Sequence, residues 1–214
     1  MKSLLLATLF VTAVCAPAVL AQKWEVGGGV GGSFYTSQDY KNAVGAAKAG
    51  LSDGVAASFW LGNNSSRLVG GELRYDYEKT DLQLSSGSTH VSFGADTHAF
   101  HYDLLLHFTP RSSRVRPFIL GGGGVKLYRG TGAESAFQPL SSFALLTKTN
   151  ETKGLLSVGA GIKFAVTHSF QLRVEVHDYI TSFPKSVIAP ALGSKTDGWL
   201  QDFVAMAGLS ITFR

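Results

Sequence analysis

Three histidines could do chemistry. His101 and His107 share a segment with Asp103, and His177 stands two residues from Glu175. An imidazole beside a carboxylate is raw material for a metal site or a hydrolytic acid–base pair. Either chemistry also needs a positioned serine or a second acid, and no spacing places one beside these histidines. The reading they support is membership of an interior hydrogen-bond network, with no metal or cofactor. His168 reads as a solvated turn residue. Gly27, Gly29 and Gly32 formally satisfy G-x-G-x-x-G. That motif cradles a pyrophosphate only between a strand and a helix, and no helical pattern follows here. Glycines that let a strand bend or accept bulky neighbours are the better account, for these and for Gly121 to Gly124. The sequon-like triplets at Asn63, Asn64 and Asn150 are chance matches to a short pattern.

The elements that must position these groups show a period of two. Eight segments alternate. Val69, Gly71, Leu73, Tyr75 and Tyr77 face away from Glu72, Arg74, Asp76 and Glu78. Phe100, Tyr102, Leu104, Leu106 and Phe108 oppose His101, Asp103 and His107. Leu156 to Val166 opposes its apolar set to Lys163, and Phe170, Leu172, Val174 and Val176 oppose Arg173, Glu175 and His177. The last segment sets Phe203, Ala205, Ala207, Leu209, Ile211 and Phe213 against Asp202, Met206 and Ser210. The first two, Trp24 to Phe34 and Val55 to Gly62, follow the same rule. The fifth, Phe118 to Arg129, is glycine-rich; Ile119, Val125 and Leu127 are expected outward and Lys126 inward. Each is a strand with one apolar face.

Connections alternate in length. Long ones are expected at 36–53, 80–97, 130–153 and 181–198, and short turns at 63–66, 110–116 and 167–169. That is an up-and-down meander of even strand number. No composition shift suggests a second domain.

Aromatic residues gather at both ends of the apolar faces. One end carries Trp24, Phe108, Phe118, Phe164, Phe170 and Phe213. The other carries Phe34, Tyr75, Tyr77, Phe100, Tyr102, Tyr128, Tyr179, Trp199 and Phe203. Aliphatic residues and glycines lie between. Two aromatic girdles around an aliphatic band describe a barrel whose outside meets lipid. Charges of both signs on the other face would cost a few kcal/mol each near the bilayer midplane, so that face is expected inside. The fold expected is all-β: an eight-stranded antiparallel up-and-down transmembrane β-barrel. Its interior charge network comprises Glu72, Arg74, Asp76, His101, Asp103, Lys163, Arg173, Glu175, His177 and Asp202.

The first residues read as a secretory leader. Lys2 precedes the apolar run Leu4 to Val14, and small residues end at Ala21. The expected division is a signal peptide over 1–21 and a barrel domain over 22–214. Cys15, the single cysteine, falls in the leader. Without Lys2, 18 of the 19 basic residues remain against 15 acidic ones. No basic block is present, so nucleic acid is not an expected partner.

These features together resemble the small outer-membrane barrels of the OmpA/OmpX/OmpW type, without an added peptidoglycan-binding domain. The resemblance covers the mature chain. It implies export to a bacterial outer membrane, contact with its lipid and lipopolysaccharide, and assembly by the outer-membrane insertion machinery. Within the ending, Gly208, Ile211 and Phe213 match the family's assembly signal, with departures at Met206 and Arg214. Basic residues in the long loops, Lys41, Lys48, Lys148, Lys153, Lys185 and Lys195, suit lipopolysaccharide phosphates, though solvated loop charge is the plainer reading. The expected role is structural or surface-interacting, with specificity in the four long extracellular loops and an extracellular ligand the sequence does not name. Alternatives are a transport barrel for hydrophobic solutes and a rim-located lipid A hydrolase or acyltransferase.

Overall fold

The computed structural model describes residues 24–42, 45–64, 66–135, 137–167, 169–194 and 198–213. The leader expected at 1–21, His168, Lys195 and Arg214 lie outside them. The strands in chain order are β1 (Trp24–Tyr35), β2 (Gln38–Asn42), β3 (Gly45–Leu51), β4 (Gly54–Asn63), β5 (Val69–Ser86) and β6 (Thr89–His107), followed by β7 (Val115–Gly130), β8 (Ala144–Leu146), β9 (Asn150–Ala165), β10 (Phe170–Ser182), β11 (Ile188–Pro190) and β12 (Trp199–Phe213).

Eight of them close a ring in the order β1, β4, β5, β6, β7, β9, β10, β12, each pair antiparallel. The closing seam runs without a break from Trp24↔Phe213 to Tyr35↔Asp202. Closure pairs the backbone groups within the ring and leaves it no edge, which is what a chain crossing lipid requires. Side-chain period fixes the facing. In β10, Phe170, Leu172, Val174 and Val176 are exposed while Arg173, Glu175 and His177 are buried. A slip of one residue would put three charged or polar groups into lipid, so the register is strongly specified.

Three expectations about the girdles fail. Phe118, Tyr128 and Tyr179 are buried inside the barrel rather than on its rim. Phe118 and Tyr128 lie an even number of residues from the inward Lys126, and Tyr179 likewise from His177, so period two carries them inward too. The rest of the fifth strand faces as expected: Ile119 and Val125 are exposed, Leu127 is half-buried, and Lys126 is buried.

The expected loop at 80–97 is also not a loop. β5 and β6 stay paired to Ser86↔Thr89, joined by a two-residue turn. Gly87 there has φ of 57°, a left-handed conformation that glycine adopts without strain. The chain from 36 to 53 forms the β2–β3 hairpin, and β3 continues the sheet beside the outer part of β5 from Lys48↔Ser85 to Leu51↔Leu82. β8 and β11 pair as a small separate sheet. These pieces enclose an apolar cluster over the barrel's long-loop end, including Tyr40, Leu82, Leu84, Phe143, Phe183 and Ile188. Burial of each such leucine or phenylalanine stabilises by about 1.5–3 kcal/mol. The Tyr40 hydroxyl donates to the Ile188 carbonyl at 3.1 Å, and burial, with Glu151 nearby, holds its pKa well above the usual tyrosine range.

Candidate functional site

The inner face of the ring is a packed set of charges built on an aromatic platform. Trp60 of β4 is 1 % exposed, and the guanidinium carbons of Arg74 and Arg173 stand 5.0 and 4.8 Å from its ring. Such desolvated cation–π contacts contribute about 2 kcal/mol. Space for the indole comes from Gly27, its cross-strand partner, where an added Cβ would lie 2.4 Å from the ring. The glycine-rich start of β1 therefore makes room for a tryptophan, and it runs within a strand rather than into a helix.

Arg173 binds Glu72 through Nη1 at 2.5 Å and Nη2 at 3.1 Å, and its Nε donates to Glu175 at 2.6 Å. Arg74 returns the pattern. Its Nη2 lies 2.5 Å from Glu175, its Nε donates to Glu72 at 3.1 Å, and its Nη1 donates to His177 Nε2 at 2.8 Å. Two arginines and two glutamates thus form one closed ring of bonds. A guanidinium fork suits this, since it engages two carboxylates in fixed geometry.

Beside this ring, His101 is held between Asp76 (2.9 Å) and Asp103 (3.1 Å), and the Tyr179 hydroxyl donates to Asp76 at 2.9 Å. Towards the long-loop end, Lys126 Nζ donates to Glu78 at 2.9 and 3.0 Å and to Asp202 at 2.5 Å. Tyr35 and Thr97 also donate to Glu78. Towards the short turns, Lys163 and Asn64 donate to Glu25 at 2.6 and 3.1 Å.

All ten residues expected in the interior network are at most 2 % exposed. The structure brings seven of them, Glu72, Arg74, Asp76, Arg173, Glu175, His177 and His101, into connected contacts with Asp103; Lys163 and Asp202 belong to the two flanking groups. Trp60, Tyr35, Lys126 and Asn64 are partners that the expected set omitted. Lys126 faces inward as expected for its strand, and Trp60 shares the inward parity of β4, the signal that could have placed it in the network. Of the assembly-signal residues, Gly208 lies beside Trp60, where an added Cβ would meet the ring at 2.6 Å, while Ile211 and Phe213 face outward on β12.

Chemically the cluster leaves His101 no free nitrogen, although Asp76 Oδ1, Asp103 Oδ2 and His177 Nδ1 are buried without a hydrogen-bond partner. Both ring nitrogens of His101 are taken by carboxylates, and its side chain is sealed from solvent. A general base must reach its substrate's proton, and this imidazole has no open direction. Among the described residues no group of three or more His, Cys, Asp or Glu side chains is arranged to hold a metal ion.

A family model described as the outer membrane protein beta-barrel domain matches residues 5–210. The chain belongs to this outer-membrane β-barrel family. Solved structures agree in fold. The outer membrane protein OprG of Pseudomonas aeruginosa aligns with TM-score 0.62 at 14 % identity, over 91 % of this chain and 97 % of its own. Neisserial surface protein A gives 0.52 at 13 %, over 89 % and 97 %. A major outer membrane protein of Thermus thermophilus gives 0.52 at 11 %, over 90 % and 100 %. No curated protein matches significantly. In outer-membrane barrels the short turns are periplasmic and the long connections extracellular, the orientation expected of this one. Exposed Val30, Val55, Phe59 and Leu104 belong to its lipid-facing surface.

Proposed function

We propose that this barrel is a plugged scaffold with a surface-interaction role, its outward end presenting the contacts. The observation that carries the reading is the bonding across the lumen between Arg173 and Glu72 and between Arg74 and Glu175. A lumen bridged by fully desolvated ion pairs resists opening, because separating the partners leaves buried charges uncompensated. The apolar cluster above them covers the same passage a second time. What remains for recognition is the exterior of the extracellular end. There Lys41, Lys48 and Lys148 are exposed, as are the apolar side chains of Phe137, Leu145 and Leu192. Lipopolysaccharide phosphates and apolar partner surfaces are the chemistries such a surface suits.

The experiment is reconstitution into planar bilayers together with binding of lipopolysaccharide to purified protein. The expected result is no large, steady, non-selective conductance, with salt-sensitive binding that weakens when Lys41, Lys48 and Lys148 are replaced by glutamine. Porin-like conductance, or protein-dependent uptake of a hydrophobic solute into liposomes, would overturn the reading.

A further inference from the structure

The periplasmic mouth holds a recess of about 890 Å³ bounded by the short turns and the ends of β7, β9 and β12. Arg67, Arg111, Arg114 and Arg116 line it, with Asn64 and Gln171, and no aspartate or glutamate does. Among the described residues none of the four arginines makes an ion pair. Arg111 is engaged by the Ser66 carbonyl, to which its Nε and Nη2 donate at 2.9 and 2.6 Å.

Arg116 is the informative one. It is only 4 % exposed, yet its Nε and Nη2 have no hydrogen-bond partner. Glu25, the inward carboxylate on this side of the network, is engaged through Oε2 by Lys163 and Asn64, and although its Oε1 has no hydrogen-bond partner it makes no ion pair with Arg116. Gln171 Oε1 is buried without a partner as well. A buried guanidinium with idle donors is costly unless something completes it. For the buried cations Arg74, Arg173, Lys126 and Lys163 this chain supplies the completing carboxylate; around Arg116 it supplies further arginines.

We propose that this recess binds a phosphate group, with Arg116 as its buried anchor and Arg67 and Arg114 closing over it from the rim. Guanidinium forks match phosphate oxygens two at a time, and a group carrying up to two negative charges offsets this cluster better than a carboxylate does. The depth also fits. The exposed aromatics at this end, Trp24, Phe108, Phe164, Phe170 and Phe213, mark the interfacial level where lipid headgroups lie. A periplasmic-leaflet phospholipid headgroup and a free phosphate of the periplasm can both present that chemistry.

The test uses the full mature barrel in non-ionic detergent. Calorimetric titration and the Nε–Hε signals of its arginines are followed with two probes, inorganic phosphate and monomeric short-chain phosphatidylglycerol. Saturable binding with movement of the Arg116 signal is expected. Binding of inorganic phosphate assigns the free anion, and binding of the lipid alone assigns the headgroup; either supports the site. Arg116→Gln should weaken binding about tenfold or more, the loss expected for a charge-assisted pair. The Arg67→Gln/Arg114→Gln pair, both exposed and safe for folding, should weaken it and flatten its salt dependence. Arg129→Gln, at the opposite end and paired there with Asp96, should change nothing. The proposal is overturned if neither probe binds, if sodium acetate at matched ionic strength binds as well as phosphate, or if folded Arg116→Gln and the rim double variant both bind as the parent does.

Discussion

Arg173 and Glu72 lie 101 residues apart and on strands that share no hydrogen bond, yet Nη1 of one is 2.5 Å from Oε2 of the other. Between β10 and β5 the ring runs through β12, β1 and β4. The contact therefore crosses the lumen. It holds opposite walls together, and it sets the stability of the plug apart from that of any single hairpin.

Replacing Arg173 with leucine should leave Glu72 and Glu175 short of a partner each in a dry interior. The expected cost is about 3–5 kcal/mol, the range for breaking one side of a buried pair. It should be visible as a lowered urea midpoint for the loss of the compact, heat-modifiable form. Adding Glu72→Leu to the same chain should restore part of that loss, since the stranded charge is then gone. An unchanged midpoint for the single variant would refute the cross-lumen account.

Gly27 and Trp60 give a packing test. Gly27→Val should lower stability by about 1–3 kcal/mol through overpacking against the indole. Combining it with Trp60→Leu should relieve much of the clash. Gly154→Ala is the control, because an added Cβ there meets nothing within 4 Å; a shift within about 0.5 kcal/mol is expected.

Surface proteolysis of intact cells should concentrate in the irregular stretches at 131–135 and 191–194, where exposed backbone lacks strand pairing. The turns near Asn64 and Pro110 should be spared behind the membrane. Cleavage at those turns in sealed cells would invert the orientation.

Phe213 pairs with Trp24 at the closing seam and faces outward. If Gly208, Ile211 and Phe213 act as an assembly signal, Phe213→Ala should lower the amount of folded protein in the outer membrane while purified chain still refolds in detergent. Equal loss in both settings would assign the residue to stability alone.

Alternation is a local property of a strand, and so the sequence by itself determined the eight membrane-crossing strands, their inward charges and their lipid-facing apolar sides. Arg74 and Glu175 could be placed inside from period two because each strand carries its own phase. Parity also contained the inward facing of Phe118, Tyr128 and Tyr179, which end-of-strand position alone misassigned to the girdles. Three things were left to the tertiary structure. On β5 the inward positions change from Glu72, Arg74, Asp76 and Glu78 to Leu82 and Leu84. An apolar inward run looks the same in a sequence as a loop over a pore, and only the docking of β2–β3, β8 and β11 made it a core. Which charge meets which depends on the ring's closure, since Arg173 and Glu72 are brought together by eight strands and by no local rule. The basic recess around Arg116 has the same origin. Its arginines are spread over two turns and one strand end, and closure of the ring is what turns scattered turn residues into one concave site.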